Sequence, residues 1–307
     1  MMPEAVAQPV LPAKPFRAFA IAAAVVTLGF AIPLWQLLWF AVGDDLHSYI
    51  PLMPFVCGYL AWTRKDDLPT ASAPARLWAG IFFFLGAITA AGYWKFTHSG
   101  TTVTLEDSLS LSTLAWLLCV TGAGCWFLGG AVMRRLVFPF CLLYFMIPMP
   151  LFLKNGIETA LQHGSAVTAE WMYTLAGTPV YREGMVFHLP GFSLEVAPEC
   201  SGIHSTWILF ITSLVAAWLI LRRPWKRVVF CLAIIPLALL RNGFRIFVIG
   251  ELCVHVSPDM IDSPIHHHGG PLFFVLSLIP FFLLLYILRK NERTASLEQR
   301  SKSESKL

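Results

Sequence analysis

Residues Pro271–Leu288 read PLFFVLSLIPFFLLLYIL, eighteen residues without a charge, and Arg289-Lys290 follow at once. As a helix this stretch covers about 27 Å, close to the hydrocarbon thickness of a bilayer. A run of that length and composition reads as a membrane span, with the basic pair marking its cytoplasmic end. Seven further stretches upstream qualify or come close: Ala18–Val42, Tyr49–Thr63, Leu77–Tyr93, Leu109–Met133, Leu136–Leu153, Ile203–Leu221 and Val228–Gly250. Ala18–Val42 is too long for a signal-peptide core and no small-residue cleavage site follows it, so it reads as a retained span. The composition agrees. Of 307 residues, 57% are hydrophobic and 13% charged, half the roughly 25% charged usage of soluble domains. That balance excludes an ordinary soluble enzyme and a disordered chain. The net charge of +4 is a weak argument for nucleic acid; the partner it implies is the lipid bilayer, and no nucleic-acid partner is expected.

Where the positive charges sit fixes the expected topology, because Lys and Arg concentrate on cytoplasmic segments. With the N-terminus inside and eight spans, 17 of the 22 Lys and Arg fall on cytoplasmic segments. Only Lys95, Lys154 and Arg182 fall outside, and Arg241 and Arg245 lie within a span. The same count retains the short second span, which begins with Pro51 and Pro54, since removing it inverts every later loop. The expected fold is an all-α polytopic membrane protein of about eight transmembrane helices, N-in and C-in. A cytoplasmic segment (1–17) precedes a single transmembrane domain (18–288), and a basic tail (289–307) reads as disordered. One long extracytoplasmic insertion (154–201) separates spans five and six. In it, Ile157, Leu161, Val167, Trp171 and Leu175 suggest an amphipathic or interfacial helix. Tyr181–Val196, broken by Gly184, Pro190 and Gly191, then reads as two short strands forming a β-hairpin.

Seven cysteines are present, with no CxxC and no metal-type spacing. Cys57, Cys119, Cys125, Cys141 and Cys231 fall within spans, where the residue behaves as a small buried hydrophobe, and Cys253 sits just past the seventh. Cys200 is different. In Pro198-Glu199-Cys200-Ser201-Gly202-Ile203 it stands at the N-terminus of the sixth span on the outer face, where unpaired N–H groups and the helix dipole favour a thiolate. Glu199 opposes that effect, so a cationic partner is needed. Leu240-Arg241-Asn242-Gly243-Phe244-Arg245-Ile246 supplies one, since an intramembrane arginine is expensive and normally faces a partner or an aqueous cavity. Arg245 shares a helix face with both Asn242 and Arg241. The third component is Ile265-His266-His267-His268-Gly269-Gly270, before the eighth span. Consecutive histidines do not face one way and no carboxylate or cysteine stands at ligand spacing, so general acid–base work is the more economical reading than metal binding. His47, His98, His163, His188, His204 and His255 lie on or near the same face, and the chemistry alone leaves the choice among histidines open. A thiol, a histidine and an arginine at one face make a complete acyl-transfer apparatus. The rival reading is a transporter or lipid-handling protein with Arg241, Arg245 and Glu199 along its pathway, a class that favours internal repeats. A third is a metalloprotein using His266, His267 and His268.

Together these residues resemble the exosortase/archaeosortase family of membrane transpeptidases, over most of the chain. Gly43-Asp44-Asp45-Leu46-His47-Ser48-Tyr49-Ile50 and Tyr59-Leu60-Ala61-Trp62-Thr63-Arg64 resemble its early Ser-His and Leu-x-Trp-x-Arg stretch, with Ser and His reversed. Ile147-Pro148-Met149-Pro150 resembles its Pro-x-Pro element. Glu199-Cys200-Ser201-Gly202-Ile203 and Asn242-Gly243-Phe244-Arg245 follow in order on successive spans, then a histidine ahead of Gly270-Pro271-Leu272-Phe273-Phe274. The resemblance implies Cys200 as nucleophile, Arg245 as thiolate and oxyanion stabiliser and His266 as general acid/base, with His267 and His268 as alternatives in register. Arg241, Asn242, Ser201, Gly202 and Glu199 stand in support, and no cofactor or metal is implied. It further implies a cysteine peptidase/transpeptidase of the bacterial inner membrane, its active site facing outward. Its substrates would be membrane-anchored proteins whose C-terminal sorting signal combines a motif, a transmembrane helix and a basic cluster. The cut protein would pass to a surface acceptor, often alongside exopolysaccharide production. The topology is testable on its own: alkaline phosphatase joined after Lys306 is expected to be inactive and the same enzyme inserted at Arg182 active, and the opposite pattern would invert the assignment.

Overall fold

The computed structural model describes residues 13–69, 72–98, 104–257, 259–260 and 270–304. The chain divides into two compact units, Met1–Leu153 and Lys154–Leu307. Among the described residues, five helices are long and apolar enough to cross a membrane, or up to seven if two bent pairs are each taken as one span, where eight spans are expected from the sequence.

The first unit comprises α1 (Ala13–Gly29), α2 (Ala31–Gly43), α3 (Met53–Trp62), α4 (Arg76–His98), α5 (Leu105–Phe127), α6 (Gly130–Arg135) and α7 (Val137–Leu143). Its centre is α5, 72% buried over its apolar window against 11% for α4. Small residues allow the two to close. A Cβ at Gly86 would lie 2.9 Å from the Cys119 sulfur, and one at Gly122 would meet the Phe83 ring at 3.2 Å, the close approach that drives helix association in lipid. The buried Ser112 and Thr121 hydroxyls donate back to Leu109 and Leu117 carbonyls, so α5 carries polar residues through the core with their donors satisfied.

Three expected spans differ here, and proline accounts for each. Ala18–Val42 is two helices meeting at 77°, since Pro33 has no N–H for the Gly29 carbonyl and its ring crowds that group. Tyr49–Thr63 is a 3₁₀ turn, Ile50–Leu52, followed by the ten-residue α3, about 15 Å of helix and half a bilayer. Pro51 and Pro54 fall where the helix would have to start. Leu136–Leu153 breaks at Pro148 and Pro150, leaving α7, a turn over Tyr144–Met146 and an irregular segment. That segment is held by side chains. The Met149 N–H donates to His47 Nε2 at 3.0 Å, Leu151 N–H to Asp107 Oδ1 at 3.0 Å, and the Ser110 hydroxyl to the Pro148 carbonyl at 2.7 Å. Asp107 also sits in the N-terminal cap of α5 with Thr104.

The second unit contains α8 (Leu151–Ala176), whose first residues belong to the first unit, then β1 (Tyr181–Glu183), β2 (Val186–Leu189), β3 (Phe192–Glu195), α9 (Ile203–Ile220), α10 (Pro224–Leu232), α11 (Ile234–His255) and α12 (Gly270–Glu304). Three antiparallel strands in the order β1-β2-β3 replace the expected hairpin. Gly184 and Gly191, with φ of +60° and +73°, make the two turns, which is why two glycine breaks give three strands. Phe187, Leu189, Leu194 and Val196 pack with Tyr173 of α8 and Ile246 of α11. Of the apolar residues read as an amphipathic or interfacial face of α8, Leu161 is buried, whereas Val167, Trp171 and Leu175 are exposed. The small residues Ser165, Ala166 and Ala169 form the inner face instead, because only they admit α11, where a Cβ on Gly243 would meet Thr168 at 2.7 Å. At the other end, α9, α10 and α12 share a core around Leu209, Leu221, Phe230, Phe281 and Leu285.

The last helix does not stop at Leu288, where the apolar run ends, but runs to Glu304. The Glu292 carboxylate accepts from the Arg222 and Arg223 N–H groups at 3.0 and 2.9 Å, just ahead of α10, where helix N–H groups lack intrahelical partners. The buried Lys226 ammonium donates to the Leu288 carbonyl at 2.8 Å. Ordering those contacts extends the helix into a segment of good helix formers at no new nucleation cost.

A test of the proline break follows. In His47→Leu the Met149 N–H loses its acceptor while buried, which should cost about 1–3 kcal/mol and lower the thermal unfolding midpoint in detergent. An unchanged midpoint would show that the imidazole does not hold this segment.

Candidate active site

The element that positions Cys200 is a 3₁₀ turn, Pro198–Ser201, ended by Gly202 in the left-handed conformation at φ +69°, after which α9 begins. Pro198 suits the first position of a turn or helix, and glycine suits a positive φ. Space adds to the requirement: a Cβ on Gly202 would lie 3.1 Å from Arg241 Nη2 and 3.3 Å from Asn242 Oδ1.

Donors converge on the Gly202 carbonyl. The Thr206 N–H and hydroxyl reach it at 3.1 and 2.8 Å, the Ser205 hydroxyl at 3.1 Å and Arg241 Nη2 at 3.3 Å. Arg241 Nη2 also donates to Thr206 Oγ1 at 3.1 Å, so the threonine hydroxyl relays between guanidinium and carbonyl. Arg241 is buried and makes no ion pair with a described carboxylate; its Nη1 is buried with no hydrogen-bond partner among the described residues. A buried guanidinium is costly unless an anion comes to it.

The neighbouring groups tie the turn to α8 and α11. Asn242, 3% exposed, donates to Ser165 Oγ at 3.0 Å, and Ser165 is fully buried. Buried Ser201 approaches Glu158 Oε1 at 3.5 Å, and its Oγ accepts from the Ile203 N–H at 3.4 Å. Gln162 donates to the Val196 carbonyl, fixing the strand that leads into the turn. Arg245 is half-buried one turn beyond Arg241 on α11.

The second unit therefore brings together the turn that carries Glu199, Cys200, Ser201 and Gly202 with Arg241 and Asn242 of α11. His266, His267 and His268 lie outside the described residues. Among the other histidines, His47 is closed to proton transfer. Its Nε2 accepts from Met149 N–H, which leaves the proton on Nδ1 facing Asp44. His98 stacks on Trp94, His188 contacts Ser193, and exposed His255 pairs with Glu251 at 3.1 Å. His204, in the first turn of α9, has a buried Nδ1 with no hydrogen-bond partner among the described residues. No group of three His, Cys, Asp or Glu converges as a metal site among the described residues.

Glu158, Gln162 and Ser165 of α8 and Thr206 of α9 were not marked by the sequence reading. Their signal is spacing: 158, 162 and 165 fall on one helical face within a helix otherwise judged by its apolar residues.

A model of the transmembrane exosortase family matches residues 39–283 of the chain. No curated protein and no solved structure matches it.

The crowding at Gly202 makes a measurable pair. Gly202→Ala is expected to cost about 1–3 kcal/mol through strain at a positive φ, and Asn242→Ala should relieve part of the contact. The double variant should then be more stable than the two single losses predict, by about 0.5 kcal/mol or more in detergent melting. Strict additivity would mean that the two side chains do not confine the turn.

Proposed function

The chain belongs to the transmembrane exosortase family, a family of membrane cysteine transpeptidases, and from that premise we propose that it cleaves C-terminal sorting signals at the outer face of a bacterial inner membrane. The observation that carries this reading is the buried Arg241 guanidinium with one nitrogen unpartnered among the described residues, clamped onto the turn that holds Cys200. A fixed positive charge in a low-dielectric site stabilises negative charge that develops during reaction.

The substrate enters as a helix, presenting its recognition motif at the outer face. Cys200 gives its proton to His266, and the thiolate sulfur attacks the scissile carbonyl. Arg245 stabilises the thiolate and then the tetrahedral oxyanion, while Arg241 holds the Gly202 carbonyl and keeps the turn in register. The carbon–nitrogen bond breaks as His266 returns the proton to the leaving amine, which departs with the substrate's transmembrane helix and basic cluster. The retained part is a thioester on Cys200. His266 then takes a proton from a surface acceptor, whose nucleophile displaces the thiolate. Transfer, not hydrolysis, follows when the acceptor outcompetes water.

The N-terminal side of α9 supports the same assignment, because its free N–H groups and dipole favour an anionic sulfur. Asn242 and Ser201 maintain the frame through Ser165 and Glu158. They are positioning residues.

In membranes containing a reporter that ends in motif, transmembrane helix and basic cluster, Cys200→Ala should abolish cleavage while its melting midpoint stays at the wild-type value. Cleavage at the wild-type rate would overturn the proposal. Arg245→Gln should lower the rate by about a hundredfold or more, the scale of losing an oxyanion donor. His266→Ala should do likewise while His267→Ala and His268→Ala do not; the reverse ranking would reassign the base.

A further inference from the structure

The first unit contains a cavity of about 760 Å³ that the proposed chemistry does not use. It runs along the first turns of α4, at Trp78 and Phe82, and the last turns of α5, from Leu118 to Cys125. Met133, Phe140 and Tyr144 close its other wall. Seven residues of helix rise span about 10 Å, most of the depth of one leaflet, which is about 15 Å of a 30 Å core. Two polar atoms of the wall satisfy one another, Thr121 Oγ1 and Tyr144 OH lying 3.1 Å apart. The interior thus asks for hydrocarbon.

One lining residue carries a charge, Arg134 of α6. It is exposed and makes no hydrogen bond or ion pair with another described residue. Arg135 and Arg76, both exposed, belong to the same end of the cavity: Ala75, just before Arg76, lines the cavity and its N–H donates to the Cys125 carbonyl at 3.0 Å, while the Gly130 N–H donates to Ala73 at 3.2 Å. These bonds stitch segment 72–75 across the junction of α5 and α6. The cavity therefore has an apolar length and a cationic mouth.

We propose that this cavity is a binding site for an anionic phospholipid of the cytoplasmic leaflet, with an acyl chain along Trp78, Phe82 and Leu118 and the phosphate at Arg134. The inference rests on the N-in topology and on the sorting-signal substrate proposed above. Charge complementarity selects this occupant over the substrate's own helix. That helix ends in a basic cluster at the cytoplasmic side, which Arg134, Arg135 and Arg76 would repel. An anionic headgroup gains from each of these cations near the membrane surface, and a planar guanidinium matches phosphate geometry.

Native mass spectrometry of the full chain, purified in detergent and titrated with phosphatidylglycerol or phosphatidylcholine of identical acyl chains, tests the site. Wild type should retain phosphatidylglycerol about fivefold more strongly. Arg134→Gln, a surface change that leaves the core intact, should remove the preference, and Cys141→Trp, which fills the cavity from an exposed wall position, should weaken both lipids. Equal retention of the two lipids by wild type, or an undiminished preference in Arg134→Gln, would overturn the proposal. So would equal competition by palmitate, which would make the ligand a fatty acid, or capture of the reporter's helix by a photo-crosslinker at Val137. Reporter cleavage is measured on the same samples. Lost preference with cleavage intact defeats the lipid site alone, whereas selective retention by a chain that never cleaves defeats the transpeptidase reading alone.

Discussion

A guanidinium buried in a membrane protein must find acceptors, and the placement of Arg241 organises the second unit around that demand. Its Nη2 spends its hydrogen bonds on the Gly202 carbonyl and the Thr206 hydroxyl. Those bonds fix the only residue in the turn with a left-handed backbone, and that turn carries Cys200 to the start of α9. Removing the arginine would leave the carbonyl with its helical donors, so the fold would retain most of its hydrogen bonding. The site would lose its fixed charge. Under the proposed mechanism, the cost of burying that charge would be offset where an anion forms at the turn.

The same accounting of polar groups explains the irregular parts of the fold. In hydrocarbon an unmet N–H costs several kcal/mol, so a helix can break only where side chains take over. At Ile147–Leu151 the takeover is by His47, Asp107 and Ser110; at the start of α10 it is by Glu292. Prolines reduce the number of N–H groups to satisfy, which is why the break concentrates where Pro148 and Pro150 stand. His47 illustrates the consequence for chemistry: a histidine engaged at both ring nitrogens in this way is part of the backbone's support and has no proton to trade.

Much of this was readable from the sequence. Hydropathy located the spans in α4, α5, α9, α11 and α12, and the residues of the Cys-Ser-Gly turn and the Asn-x-x-Arg helix proved to be neighbours in one unit. What escaped was tertiary. Hydropathy windows average over Pro33, Pro51 and Pro148, and so turned bent or short helices into continuous spans. The apolar residues of α8 read as an amphipathic or interfacial face, but they said nothing of its inner face, where the small residues Ser165, Ala166 and Ala169 decided the packing. Glu292 as a cap for a helix seventy residues earlier leaves no local trace at all.

Arg241 and Arg245 stand four residues apart on one helix, and the resemblance pointed mainly to Arg245. Arg241 is bonded to the turn itself, so its position is set by the fold and it moves little when substrate arrives. Arg245 lies half-buried one turn further along the same helix. Two like charges so close repel, and an anion drawn to this stretch of α11 would relieve that cost. Under the proposed mechanism, negative charge on the sulfur or on the substrate carbonyl would be stabilised more than the neutral ground state, which is the differential on which catalysis depends. His204, with a buried ring nitrogen at the start of α9 and no partner for it among the described residues, stands beside the same turn. Two buried nitrogens without a partner among the described residues, on His204 and Arg241, thus lie at the end of the second unit where the turn joins α9.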